Sequence, residues 1–380
     1  MATRVCIVGV GESECGNVPD KSALQLHQQA ARAALDDTGL AKTDIDGLFS
    51  CGDDWMHLLQ LAEYLGLRPA HMDCTQVGGA SWELFVAHAA AALQAGRCHA
   101  ALLVYGSTLR SDLRRRRRVI DQPAPRGPAQ FESAYGLTLI GKYALAARRH
   151  MHEYGTTSRQ LATVAVTANR WAQRNPRAFH FGTPLSLDDA LRSRMLADPL
   201  RQADCCLRTD GGGAVVLTTE ERARDLRQTP IYVLGSGEAV SHLHMSQWPD
   251  MPDLVARDSA RRAFEQAGIS AKDVDVLQTY DAFTIMVLLS LEAMGFCGRG
   301  ESGAFVESGA LAPGGALPTN TDGGALAANH PGMRGVFLLI EAARQLRGEC
   351  AERQVPNARI AVCNGVGGYL SSCATVVLGR

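Results

Sequence analysis

Residues 30–48 read AARAALDDTGLAKTDIDGL, and residues 259–277 read SARRAFEQAGISAKDVDVL. Each stretch is an amphipathic helix closed by a glycine, Gly39 or Gly268, that supplies a left-handed C-cap, then a turn and an Asp-hydrophobe-Asp entry to a strand. The match extends outward in both directions. Upstream, CIVGVGE (6–12) pairs with YVLGSGE (232–238); downstream, DWMHLLQLAEYLGL (54–67) pairs with FTIMVLLSLEAMGF (283–296). The halves also close alike, with GGGAVVLTT at 211–219 and CATVVLGR at 373–380. Short apolar strands alternating with longer helices predict a mainly parallel α/β sheet, here built twice. The expected halves are residues 1–225 and 226–380, joined in the charged run EERARDLRQTP (220–230) as one pseudo-dimeric body.

Composition narrows the function classes. The 380 residues are 46% hydrophobic and 20% charged, enough for a large core, and 38 basic residues face 39 acidic ones, a formal net charge of −1. No whole-chain affinity for nucleic acid or anionic membrane is expected from that balance. The chain has no apolar run of about 18 residues for a transmembrane span, and its N-terminus lacks the pattern of a secretory signal. Eleven scattered cysteines without a CxxC pair predict reduced thiols and a cytoplasmic location. Two segments fall outside the repeat and read as loops: 109–135, charged and proline-rich, and 298–320, rich in Gly, Pro and Ser.

Several motifs invite chemistry and are weighed against plainer readings. Gly-x-Gly at 9–11 and 235–237 lacks the third glycine of a dinucleotide loop, Glu14 and Val240 standing there, so these read as strand-end turn glycines. The run Arg114–Arg118 is either a solvated loop or a grip on an acidic partner or on a phosphate such as that of coenzyme A. His150-x-His152 and His242-x-His244 have no third ligand at a useful spacing, so no metal is expected. Of the adjacent Cys205 and Cys206, at least one is expected in core packing. Three glycine clusters are more telling: VGGAS (77–81) opening an Ala-rich helix, NTDGGALAANHPG (320–332), and CNGVGGY (363–369) after a strand. Paired glycines at strand-to-helix turns let backbone N–H groups approach a ligand oxyanion. The candidate ligand-binding residues are therefore Gly79, Ser81, Gly323, Gly324, Gly367, Gly368 and Tyr369.

These clusters, with YALAARRHMHEYGTT (143–157), SRMLADPLRQADCC (193–206) and DGGGAVVL (210–217), resemble the thiolase superfamily, in its sterol-carrier-protein-2-like branch, over nearly the whole chain. The resemblance implies the thiolase fold, duplicated α/β halves in five α-β-α-β-α layers, usually as a dimer. It also implies where the chemistry departs. The nucleophilic cysteine of such thiolases falls at Gly79 here, and the missing side chain is expected to leave room for a bulkier substrate. The family's acid–base boxes match Tyr280-Asp281-Ala282-Phe283 and Asn329-His330-Pro331, and its second reactive cysteine matches Cys363.

A thiolase-like site without its thiol is similar to the steroid side-chain-cleaving aldolases, which use tyrosine for acid–base work but tend to carry a second tyrosine where this chain has His330. The resemblance implies a CoA-thioester aldolase: retro-aldol cleavage of a β-hydroxyacyl-CoA side chain on a steroid or similar polycyclic body, giving a ketone and a short acyl-CoA such as propionyl-CoA. On that reading Tyr280 is the base toward the substrate hydroxyl and needs a donor or cation to favour its phenolate, Asp281 orients the site, and His330 bonds the thioester oxygen or protonates the enolate. Cys363 is the alternative proton donor, and glycine-loop amides hold the enolate oxygen. No cofactor is expected on the chain itself, coenzyme A being part of the substrate, and the implied partner of a homodimeric core is a small OB-fold, zinc-ribbon protein of the DUF35 type. The rival readings are an acyltransferase using Cys74 or Cys363 as nucleophile, and a non-catalytic scaffold for an active partner.

Overall fold

The computed structural model describes residues 3–52, 54–115, 126–136 and 138–380. Its sheet strands are β1 (Val5–Glu12), β2 (Gly47–Phe49), β3 (His71–Asp73), β4 (Ala100–Ser107), β5 (Gly211–Thr219), β6 (Ile231–Val240), β7 (Val276–Thr279), β8 (Ile360–Gly367) and β9 (Ser372–Gly379). They run in the order β3-β2-β4-β5-β1-β6-β9-β8-β7. Read outward from the centre, the first half goes β1-β5-β4-β2 and the second β6-β9-β8-β7, so the repeat in the sequence is a repeat in topology. The halves join through an antiparallel β1–β6 contact, Cys6 opposite Tyr232 and Ile7 opposite Ile231. Within each half the last strand pairs antiparallel to its neighbours, while β2–β3, β2–β4 and β7–β8 are parallel, so the sheet is mixed and not mainly parallel as the strand–helix alternation suggested.

Helices complete five layers. α1 (Ala23–Thr38) packs on β1, β4 and β5, and its counterpart α4 (Ala256–Ala267) packs on β6 and β9. Between the halves lie α2 (Ser81–Gln94) and α6 (Gly335–Arg347), each touching strands of both. Flanking them, α3 (Leu139–Tyr154) and α5 (Thr284–Ala293) pack against each other. Both faces of the sheet are therefore buried, which explains the unbroken apolar strands. Along β4, Ala100, Leu102 and Val104 join the α1 layer while Ala101, Leu103 and Tyr105 enter the central core. Gly39 and Gly268 cap α1 and α4 at φ 80° and 67°, in the left-handed region.

The Gly-x-Gly pairs are not at strand ends. They lie within β1 and β6, where helix backbone presses on the strand: a Cβ on Gly11 would sit 2.3 Å from Ala34 N, and one on Gly235 2.2 Å from Ala263 O. The two loop assignments also need correction. Short helices occupy Leu109–Arg114, Ala129–Ser133 and Ser302–Glu307. Of the arginine run, Arg114 bonds Asn17 Oδ1 at 3.0 Å and Arg115 the carbonyl of Pro19, while 116–118 lie outside the described residues. Among the described residues, no helix is long and apolar enough to cross a membrane, and no group of three His, Cys, Asp or Glu could hold a metal ion.

Candidate active site

Tyr280 leaves the end of β7 with its N–H bonded to the Asn364 carbonyl of β8 (3.0 Å), which points its ring into the central layer. There its hydroxyl lies 3.0 Å from His330 Nε2, the rings edge to face. Both side chains are buried, 5% and 8% exposed. The backbone N–H of Arg334, the residue that caps the N-terminus of α6, lies close enough to act on the phenol. That donor favours the phenolate, as does the helix end. Burial outweighs it and, with Cys206, Tyr105 and Tyr143 nearby, holds the phenol well above its ordinary value. His330 is pushed the other way, to about 3, by burial and by the Arg334 guanidinium. At neutral pH the pair is a phenol beside a neutral imidazole.

The space at Gly79 is not open. A Cβ there would lie 2.1 Å from Tyr280 Cε2 and 2.5 Å from Cζ, so the tyrosine ring fills the volume in which a nucleophilic side chain would stand. Room for a bulkier substrate is thus not what the glycine provides; it admits the Tyr280 ring. Val366 O, 2.6 Å from the same point, closes the other side.

Other expected residues face elsewhere. Asp281 turns from the pair and accepts N–H groups of Ala325 (2.7 Å) and Leu326 (3.3 Å), with Arg334 Nε 3.7 Å away; burial raises it to about 6 despite the guanidinium. Gly324 makes room for this carboxylate, since its Cβ would fall 2.0 Å from Asp281 Oδ2. The amides of Gly323 and Gly324 are engaged by Asn320 O (2.9 Å) and Asp322 Oδ1 (3.0 Å), so neither is free for an enolate oxygen. Cys363 is fully buried with Sγ on Leu338 O at 3.4 Å, and burial with Glu83 nearby raises its thiol further, so it is not placed as a proton donor to the pair. Ser81 Oγ accepts Val77 N–H (3.0 Å), beneath the turn it stabilises. Gly367 packs on Val77 O, Gly368 O accepts the Tyr143 hydroxyl (3.1 Å), and Tyr369 lies under the Lys142 ammonium, 3.5 Å from its ring centroid. These three shape a neighbouring wall rather than the Tyr280–His330 contact. Cys74 is exposed.

Three contributors escaped sequence reading. Arg334 is wholly buried, bonding Asp322 (2.6 Å) and Asn329 Oδ1 (2.7 Å), and so anchors the loop that carries His330. Tyr105 donates to Pro331 O (2.7 Å) and accepts Met333 N–H (3.2 Å), clamping the same loop from β4. Cys206 places Sγ 3.6 Å from His330 Nδ1. It also lines a cavity of about 750 Å³ walled by Ile140, Leu185, Leu196 and Leu326, with exposed Arg194 and Arg208 on its lining. The spacing of Arg334 four residues after His330 was the available signal for the first; nothing local signalled the other two.

A duplicated five-layer body with a buried Tyr–His contact set against Gly79 defines a thiolase-type protein. The chain belongs to the thiolase family: residues 237–380 match the Thiolase C-terminal domain-like family, and full-length relatives pass 30% identity. It is 33% identical to the 17-hydroxy-3-oxo-4-pregnene-20-carboxyl-CoA lyase of Mycobacterium tuberculosis, over 97% of each chain. With the acetyl-CoA acetyltransferase of Methanothermobacter thermautotrophicus it shares 32% identity over 99% of each. The solved Ltp2-ChsH2(DUF35) aldolase superposes with a TM-score of 0.90 at 31% identity, covering 99% of this chain and 98% of that one.

Proposed function

We propose that this protein is a CoA-thioester aldolase that cleaves a β-hydroxyacyl-CoA side chain from a steroid or similar polycyclic substrate. The observation that carries the reading is the Tyr280 ring in the space at Gly79 with its hydroxyl on His330 Nε2, an acid–base pair in place of a nucleophile. As a phenol, Tyr280 accepts the substrate's tertiary hydroxyl proton only by passing its own to His330. The C–C bond then breaks, the carbinol carbon becomes a ketone, and the electron pair moves into the thioester enolate. Return of the same proton through Tyr280 to the enolate carbon releases the short acyl-CoA and resets the pair. One relay thus serves both proton transfers, a contribution of about 10²–10⁴-fold for each. His330 is occupied by this relay, so bonding the thioester oxygen is not its task.

The large cavity supports a CoA thioester: its apolar walls suit the pantetheine arm and Arg194 and Arg208 suit phosphate. Coenzyme A enters as part of the substrate, with no cofactor on this chain. The likeness to an aldolase solved with a DUF35 protein supports such a partner here, on a homodimeric core. The open edge of β3, paired on one side by β2 alone, offers a strand for the second copy. The direct test is cleavage of 17-hydroxy-3-oxo-4-pregnene-20-carboxyl-CoA by the protein co-expressed with a DUF35-type partner, with and without Tyr280→Phe. Ketone and propionyl-CoA from the wild type only would support the proposal; cleavage unaffected by the substitution would remove the mechanism.

A further inference from the structure

We propose that Cys206 is a positioning residue of the relay: its sulfur holds the His330 ring by Nδ1 so that Nε2 is presented to the Tyr280 hydroxyl. The inference rests on reading Tyr280 and His330 as the acid–base pair. Residues 205–209 form a strap between the segments that carry them. Cys206 N–H bonds Ala282 O (2.8 Å), Leu207 N–H bonds Ala325 O (3.0 Å), and Thr209 N–H bonds His330 O (3.2 Å) while Thr209 Oγ1 accepts His330 N–H (3.0 Å). The strap fixes the backbone at both ends of the pair and sets one sulfur against the imidazole. Cys205 turns away, its sulfur on Arg201 O at 3.3 Å.

The relay fixes the tautomer: Nε2 must be bare to take the Tyr280 proton across 3.0 Å, so Nδ1 carries the ring proton, directed at Cys206 Sγ 3.6 Å away. When the Tyr280 proton arrives, the ring becomes a cation whose Nδ1–H is a stronger donor, and a polarisable sulfur beside it is a favourable neighbour. Among the described residues, the charged and titratable groups set against the ring are Tyr280, Cys206 and Arg334, whose charge Asp322 and Asp281 offset in part. The same tautomer withholds a base from the thiol, because Nδ1 already holds a proton. Burial keeps the thiol un-ionised, raised to about 12. Cys206 is thus placed to tune the relay and not to accept an acyl group, although it lines the cavity together with Cys205.

The experiment combines kinetics on Cys206→Ala and Cys206→Ser with ¹⁵N spectroscopy of the His330 ring, assigned through His330→Gln. Cys206→Ala is expected to lower kcat about five- to tenfold, the scale of one hydrogen bond, with KM within about twofold. Cys206→Ser, whose hydroxyl can accept from Nδ1, is expected to restore kcat to within about threefold. In the unliganded protein the ring resonances should report Nδ1–H in the wild type and Cys206→Ser, and a mixture of tautomers in Cys206→Ala. An unchanged tautomer with wild-type kcat in Cys206→Ala overturns the proposal, and so does a stable acyl adduct on Cys206 in the intact mass after exposure to acyl-CoA. The spectroscopic arm needs no substrate, so it separates failure of this inference from failure of the aldolase reading.

Discussion

Replacing Gly79 tests whether the tyrosine ring and the missing nucleophile compete for one volume. In Gly79→Ala the new Cβ lies 2.1 Å from Tyr280 Cε2, 2.5 Å from Cζ and 2.6 Å from Val366 O. An ordinary carbon contact is about 3.5–4.0 Å, so the ring must retreat by more than ~1 Å, and the β8 carbonyl cannot retreat without breaking the ladder. The retreat opens the 3.0 Å contact from the hydroxyl to His330 Nε2. Overpacking of this kind costs about 1–3 kcal/mol. Misplacing a catalytic group by about 1 Å costs on the order of 10²-fold in rate. Gly79→Ala and Gly79→Cys are therefore expected to unfold at lower temperature and to lose about 10²-fold in kcat, with no thiolase activity gained by the cysteine. Thermal unfolding of the single variants, Tyr280→Ala and the double variant closes a cycle. The double variant should be less destabilised than the sum of the singles by roughly 1–3 kcal/mol, because removing the ring relieves its part of the clash and leaves only that with Val366 O. A Gly79→Ala protein with wild-type melting temperature and kcat would refute the steric argument outright.

Three further outcomes are expected. Glu83 is buried, with no hydrogen-bond partner for either oxygen among the described residues, and is raised to about 8 by burial. Its folded pKa exceeds the unfolded one, so its cost to stability is absent below about 4.5 and grows as pH rises toward 8; Glu83→Gln should stabilise the protein by roughly 4 kcal/mol at pH 8 and hardly at all at pH 4.5, checked by denaturation at both. His330 has the opposite sense: its folded value near 3 lies below the unfolded 6.5, so stability falls as pH drops through that window by up to roughly 1.4 kcal/mol per unit, a slope that His330→Gln should flatten. Arg334→Met leaves Asp322 and Asp281 buried without their cation and should cost about 3–5 kcal/mol, seen as a lowered unfolding midpoint.

Much of the fold was legible because duplication repeats local signals: two helices with glycine caps, two apolar strands, two closing strands. The Gly-x-Gly pairs were misplaced because close approach of helix backbone to a strand leaves the same residue as a turn does. At the site, Tyr280 and His330 were legible as box residues, but their contact with Gly79 joins distant parts of the chain and no local pattern encodes it. Asp281 follows Tyr280 directly, and neighbouring side chains on an extended segment point opposite ways, so proximity in sequence placed it on the wrong side. Cys363 fails for a similar reason: from within β8 its sulfur reaches Leu338 O, while the next residue's carbonyl receives the tyrosine amide. Cys206 stood out only as one of an adjacent pair with Cys205, because which of the two meets His330 depends on a strap crossing between two remote segments.

The central claim is that Tyr280 and His330 relay one proton from a substrate hydroxyl to the carbon from which the ketone departs. The most direct measurement is single-turnover cleavage of 17-hydroxy-3-oxo-4-pregnene-20-carboxyl-CoA by the protein assembled with a DUF35-type partner, read by mass spectrometry for wild type and Tyr280→Phe. The account predicts a ketone and propionyl-CoA from the wild type, and a loss of at least about 10²-fold in Tyr280→Phe. A correctly assembled protein that leaves the thioester intact, or a Tyr280→Phe variant that cleaves it at the wild-type rate, would contradict the account.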